Sequence, residues 1–168
     1  FSLDQHISWW GYYSRFNGGL LSTICYIFLY YAFVSNLNSK QVMKTIRISL
    51  AAGLLVALWG LPSHFGYDPT CLVFRGELNV SCWTEAFKPP IRAFSTLGQP
   101  AWLAAYMTIL IPIAMAFALN SIKNGKRILF IILTTLFYLS LTFANTRAGF
   151  IAFAISDISF WFVLFFKQ

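Results

Sequence analysis

Residues 100–120 read PAWLAAYMTILIPIAMAFALN, and no charge interrupts them. Residues 128–166 read ILFIILTTLFYLSLTFANTRAGFIAFAISDISFWFVLFF, with Arg147 and Asp157 as the only charges. A bilayer core about 30 Å thick takes roughly 20 helical residues to cross. At 1.5 Å rise per residue, the second stretch covers about twice that thickness. It predicts two spans joined at the tight turn Asn145-Thr146-Arg147-Ala148-Gly149. No soluble domain of 168 residues can hide that much apolar surface. The fold class is therefore all-α, a multi-span transmembrane helix bundle.

Outward from these stretches the same pattern recurs. Five spans are predicted, at about 19–36, 46–62, 100–120, 127–144 and 148–166. The chain is 58% hydrophobic, 19% aromatic and 10% charged, against about 25% charged in soluble domains. Four regions result: an outer segment 1–18, two spans with their connecting loop at 19–62, an outer loop 63–99, and three further spans at 100–168. The chain opens at Phe1 in a polar segment and closes at Gln168 just after a span, which reads as a piece of a longer membrane protein.

Charge placement sets an orientation. Lys40, Lys44 and Arg47 lie between the first two spans, Lys123, Lys126 and Arg127 between the third and fourth, and Lys167 after the last. All fall on one side, which the positive-inside rule makes cytoplasmic. Trp9, Trp10, Tyr12, Tyr13 and Trp59 sit at headgroup depth on that reading. Pro100 suits a first helical turn. Pro112 sits mid-span, frees the carbonyl of Thr108 and predicts a kink. The net charge of +7 is scattered through interhelical loops, not along one face, so a nucleic-acid partner is a poor reading.

The outer loop 63–99 is the most polar part of the chain. Leu72, Phe74, Leu78 and Val80 predict a short hairpin around Arg75-Gly76-Glu77. Cys71 and Cys82 flank it, and an oxidising outer compartment predicts a disulfide between them. Cys25 lies inside the first span as inert packing.

Three outer-side arginines stand near span ends: Arg15, Arg92 and Arg147. A guanidinium binds phosphate through two parallel hydrogen bonds and stays charged at any working pH. Taken singly, each is more simply a headgroup anchor. Taken together, beside glycines or tight turns, they suit a diphosphate lipid. Asp157 lies ten residues into the last span, about 15 Å from Arg147. An intramembrane carboxylate there marks an ion path or an interhelical hydrogen bond, and the second is the simpler reading. His6 and His64 have no companions at metal-ligand spacing and read as ordinary loop residues. No Walker loop, dinucleotide fingerprint or nucleophile elbow is present.

Three segments carry a family resemblance. WGYYSRFNGGLLS (residues 10–22) resembles the glycine-arginine approach to a span in the O-antigen ligase-like proteins. RAFSTLGQPAWLAAYM (92–107) is similar to their Gly-Asn-Pro motif, and LTFANTRAGFIAFAIS (141–156) to their Ser-Arg motif. The three occur in the family's order. Gln99 replaces the usual asparagine and keeps the amide, and Thr146 replaces the usual serine and keeps the hydroxyl.

The resemblance implies a multi-pass glycosyltransferase of the bacterial cytoplasmic membrane. Such an enzyme ligates or polymerises glycan from a polyprenyl-diphosphate carrier on the outer face. The acceptor is a lipid, a protein or a growing glycan, and no metal or other cofactor is implied. Arg92 and Arg147 match arginines that would hold the donor diphosphate, with Arg15 and Gln99 nearby. The family's catalytic histidine lies in a later outer loop and matches neither His6 nor His64. A transporter or flippase for a lipid-linked or anionic substrate is the alternative. Its expected inverted repeat of broken helices is not seen. A membrane scaffold without catalysis is a third reading.

Overall fold

The structure is a computed structural model that describes residues 4–12, 18–85 and 87–167. These residues form seven α-helices and no strand: α1 (Gln5–Trp10), α2 (Leu20–Asn36), α3 (Ser39–His64), α4 (Pro69–Arg75), α5 (Pro100–Asn120), α6 (Asn124–Ala144) and α7 (Arg147–Lys167). Four of them, α3, α5, α6 and α7, are long and apolar enough to cross a membrane. The protein is a multi-pass helical membrane protein. The expected first span, α2, has 17 residues and reaches about 26 Å, at the short limit for crossing.

The chain divides into two compact units, Phe1–Ile46 and Arg47–Gln168. In the first, α1 packs against α2. Gly19 makes this possible, since a Cβ there would run into the backbone of Trp9, Trp10 and Gly11. The stretch at 37–45, expected as a loop, includes the opening of α3. Asn38 Oδ1 accepts from the Gln41 N–H (3.0 Å), and Gln41 Oε1 accepts from the Asn38 N–H (2.9 Å). This reciprocal pair is a capping box, and it starts the helix before Lys40, Lys44 and Arg47.

The second unit is built around α5. Leu103, Ala104, Met107, Leu110, Ile111 and Ala114 of α5 are buried, and they meet Phe137 and Leu141 of α6 and Leu50 and Ala57 of α3. α5 is apolar on every face, burying one side in the bundle while Trp102, Ile109 and Leu119 stay exposed, and it is continuous through Pro112. Small residues admit the neighbours. A Cβ at Gly53 would overlap Leu110, and one at Gly149 would overlap Ala104 and Thr146. Close backbone approach of this kind holds helices together in lipid, where apolar contact alone does not favour association. α7 turns Ile151, Ile155, Ile158, Phe162 and Phe165 outward, as a lipid-facing surface does.

Between α3 and α5 the expected hairpin is absent. Residues 69–75 are helical because Asp68 caps them, its Oδ1 accepting from the Thr70 N–H (2.8 Å). Pro69 takes the first helical position and Gly76 ends the helix in the left-handed region (φ 76°). Asp-Pro before and Gly after are standard helix boundaries, and they override the β-prone side chains between them. Cys71 and Cys82 are joined by a disulfide with Cα atoms 5.5 Å apart. The Asp68 carboxylate, almost fully buried, also accepts from the Trp83 indole N–H. Trp59 of α3 donates to Thr70 Oγ1 (3.1 Å), which ties α4 to the bundle.

Orientation can be tested directly. The lysine and arginine bias places residue 77 outside and residue 124 inside, and both positions are exposed. In intact cells an impermeant maleimide is expected to label Glu77→Cys and to spare Asn124→Cys. The reverse pattern would invert the topology.

Candidate functional site

The chain from Lys88 to Gln99 builds a cavity against the start of α5. After Lys88, Pro89 and Pro90 force a tight turn, closed by the N–H groups of Ile91 (3.1 Å) and Arg92 (3.2 Å) on the Lys88 carbonyl. That turn places Lys88 and Arg92 on the same side. The next residue, Ala93, donates its N–H to the carbonyl of Phe143 at 2.8 Å. Phe94 is buried and meets the Trp83 ring edge-to-face, with centroids 4.7 Å apart. Ser95 adopts a left-handed conformation (φ 53°), which favours glycine. It is held there by donating from Oγ to the Val56 carbonyl at 2.6 Å. Gly60 leaves room for it, since a Cβ at Gly60 would come within 2.8 Å of Ser95 Cβ.

The resulting cavity is about 260 Å³, and its polar lining is Glu85, Lys88, Arg92 and Gln99. Arg92 is exposed on its rim. Lys88 is half-buried and pairs with Glu85 at 2.6 Å. Gln99 is the N-cap of α5 and makes no side-chain capping bond, which leaves its amide for a ligand. Pro100 and Ala101, the first residues of α5, complete the wall. Pro100 has no N–H, and those of Trp102 and Leu103 bond the Gln99 carbonyl (3.1 and 3.2 Å); the Ala101 N–H and the positive end of the helix dipole favour negative charge at such a position. With one carboxylate against two cations, the cavity carries a net positive charge.

Of the residues expected to bind substrate, Arg92 and Gln99 thus come together. Arg147 does not line this cavity, against the expectation of one shared pocket. It is the first residue of α7 and is exposed. It nevertheless lies at the same end of the bundle. Gly149 packs on Ala104, one turn into α5, and the Ala93 bond to Phe143 ties the Arg92 segment to the turn that leads to Arg147. A cation at a helix N-terminus opposes the dipole by roughly 0.3–1 kcal/mol. No acidic residue in that first turn offsets it, so the position suits an arginine that meets an external anion. Arg15 lies outside the described residues.

Two features here were not read from the sequence. Lys88, four residues before Arg92 across Pro89-Pro90, is a second cation of the cavity. Its spacing was the available signal. His64, expected to be an ordinary loop residue, ends α3 and stacks on Phe143 with ring centroids 3.9 Å apart and planes 10° apart. Its Nδ1 and the Thr146 hydroxyl are buried without a hydrogen-bond partner among the described residues. Asp157 has no hydrogen bond or ion pair among them either, so the expected interhelical bond is absent. It lines an open cleft of about 830 Å³ with Leu119 and Trp161.

No protein-family model, curated protein or solved structure matches this chain.

Proposed function

We propose that the protein is an O-antigen ligase-like glycosyltransferase of the bacterial cytoplasmic membrane. It moves or polymerises glycan from a polyprenyl-diphosphate carrier on the outer face. The observation that carries this reading is the convergence of Arg92, Lys88, Gln99 and the α5 N-terminus on one small cavity, with Arg147 at the same end of the bundle. A diphosphate at the membrane surface is suited by this set: a bidentate cation, a second cation, an uncommitted side-chain amide and the positive end of a helix dipole. Phe87 and Ile91 line the same cavity and suit the first isoprenoid unit. In transfer, the acceptor hydroxyl oxygen attacks the anomeric carbon, its proton is released to water, and the anomeric C–O bond to phosphate breaks. The polyprenyl diphosphate leaves with added negative charge. Arg92 and Lys88 stabilise that charge as it develops, which is where fixed electrostatics contribute most to rate.

The test is reconstitution of the intact protein with a polyprenyl-diphosphate glycan and an acceptor. Acceptor-dependent release of free polyprenyl diphosphate is expected. Net movement of unchanged lipid-linked glycan across the bilayer, with no release, would favour the transporter reading.

A further inference from the structure

The other end of α5 holds a second cavity of about 610 Å³. Pro100 belongs to the Arg92 cavity and Asn120 to this one. The 21 residues of α5 separate the two by about 30 Å, the thickness of a bilayer core. Its charged lining is Arg47 of α3, Lys123 at the N-cap of α6 and Lys126 in the first turn of α6. No carboxylate lines it, and none of the three makes an ion pair among the described residues. Lys123 provides no side-chain cap, so the first N–H groups of α6 also face outward. Asn120 and Ser121 add polar edges, and the rest of the wall is apolar, including Phe117, Leu129 and Phe130.

We infer that this cavity binds an anionic phospholipid, its phosphate between Arg47, Lys123 and Lys126 and its acyl chains along Phe117, Leu129 and Phe130. Three cations and an uncapped helix N-terminus, concentrated in one recess, exceed what orientation in the membrane requires. Orientation depends on loop charge, not on convergence. The apolar wall distinguishes a lipid from a free anion, because a soluble phosphate gains nothing from it. Basic pockets between helices on the cytoplasmic side are recurrent headgroup sites.

The probe is an equimolar mixture of phosphatidylglycerol and phosphatidylcholine in detergent, with retained lipid read by native mass spectrometry of the intact protein. Wild type is expected to retain phosphatidylglycerol preferentially. Each neutralised charge should weaken that retention roughly fivefold, so Arg47→Gln/Lys126→Gln should lose about 25-fold. Lys40→Gln/Lys44→Gln removes the same charge outside the cavity and should retain wild-type preference. Equal loss in both double variants, or no preference in wild type, overturns the site. Displacement of phosphatidylglycerol by millimolar inorganic phosphate overturns the lipid assignment in favour of a free anion. If the first double variant does not fold, Lys123→Gln alone must lower retention about fivefold. An unchanged Lys123→Gln overturns the site as well.

Discussion

Arg92→Ala is expected to weaken binding of the polyprenyl-diphosphate donor by about 10- to 150-fold, the loss of one charge-assisted hydrogen-bonded pair worth roughly 1.5–3 kcal/mol. Arg92→Lys should recover only part of this. Lysine restores the charge but not the planar fork that grips two phosphate oxygens at once. Lys88→Gln should cost less, because Glu85 at 2.6 Å already neutralises part of the lysine charge. Arg147 discriminates between two geometries. If its guanidinium reaches the donor from the start of α7, Arg147→Lys loses activity along with Arg92→Lys. If it holds only lipid headgroups, Arg147→Lys matches wild type while Arg92→Lys does not. The measurement is donor affinity and transfer rate for variants of the intact protein at equal expression. Wild-type behaviour of Arg92→Lys would sink the diphosphate site, since a headgroup anchor tolerates either cation.

The membrane-spanning core was legible because its signal is coarse and long. Largely uncharged runs near 20 residues have one stable outcome in lipid, so α5 and α7 fall within a residue of their expected limits, while α6 begins three residues early, at Asn124. Shorter elements failed where capping outweighed composition. Val73 and Phe74 are β-prone, yet Asp68-Pro69 and Gly76 enclose them in a helix. The same kind of signal, Asn38 with Gln41, extends α3 backward through residues expected in a loop. Both patterns are visible in the sequence, and local hydrogen bonding decided both.

The site was legible in part, for a different reason. Arg92 and Gln99 are close in sequence, and the short buried segment between them brings both to one cavity. The bond from Ala93 to Phe143 spans fifty residues of chain and has no sequence signal at all. The stacking of His64 on Phe143 is equally silent. Long-range packing of this kind depends on where the helices cross. Gly53, Gly60 and Gly149 set those crossings by permitting close approach at single points. A glycine in a helix does not say which partner it admits.

Loss of the Cys71–Cys82 disulfide should be felt at the cavity as well as in stability. Closing a loop of about a dozen residues removes unfolded-state entropy worth about 3 kcal/mol. For a chain of this length that corresponds to a drop of about 6–12 °C in Tm for Cys71→Ser/Cys82→Ser. The bridge holds α4 against the segment that carries Trp83. Trp83 in turn donates to Asp68 and packs on Phe94, two residues from Arg92. The Arg75 hydrogen bond to the Ser81 carbonyl (3.1 Å) spans the same gap, but an exposed bond of that kind contributes only about 1 kcal/mol. It cannot replace the crosslink. The double variant is therefore expected to bind donor more weakly than wild type, with the largest difference near its lowered Tm. Reductant should bring wild type to the level of the variant and leave the variant unchanged. Cys25→Ser, at an exposed thiol outside the bridge, should change neither quantity. An unaltered Tm in Cys71→Ser/Cys82→Ser without reductant would mean that Asp68, Trp59 and Trp83 suffice to fix the loop. The arginine cavity would then owe its shape to hydrogen bonding and not to the crosslink.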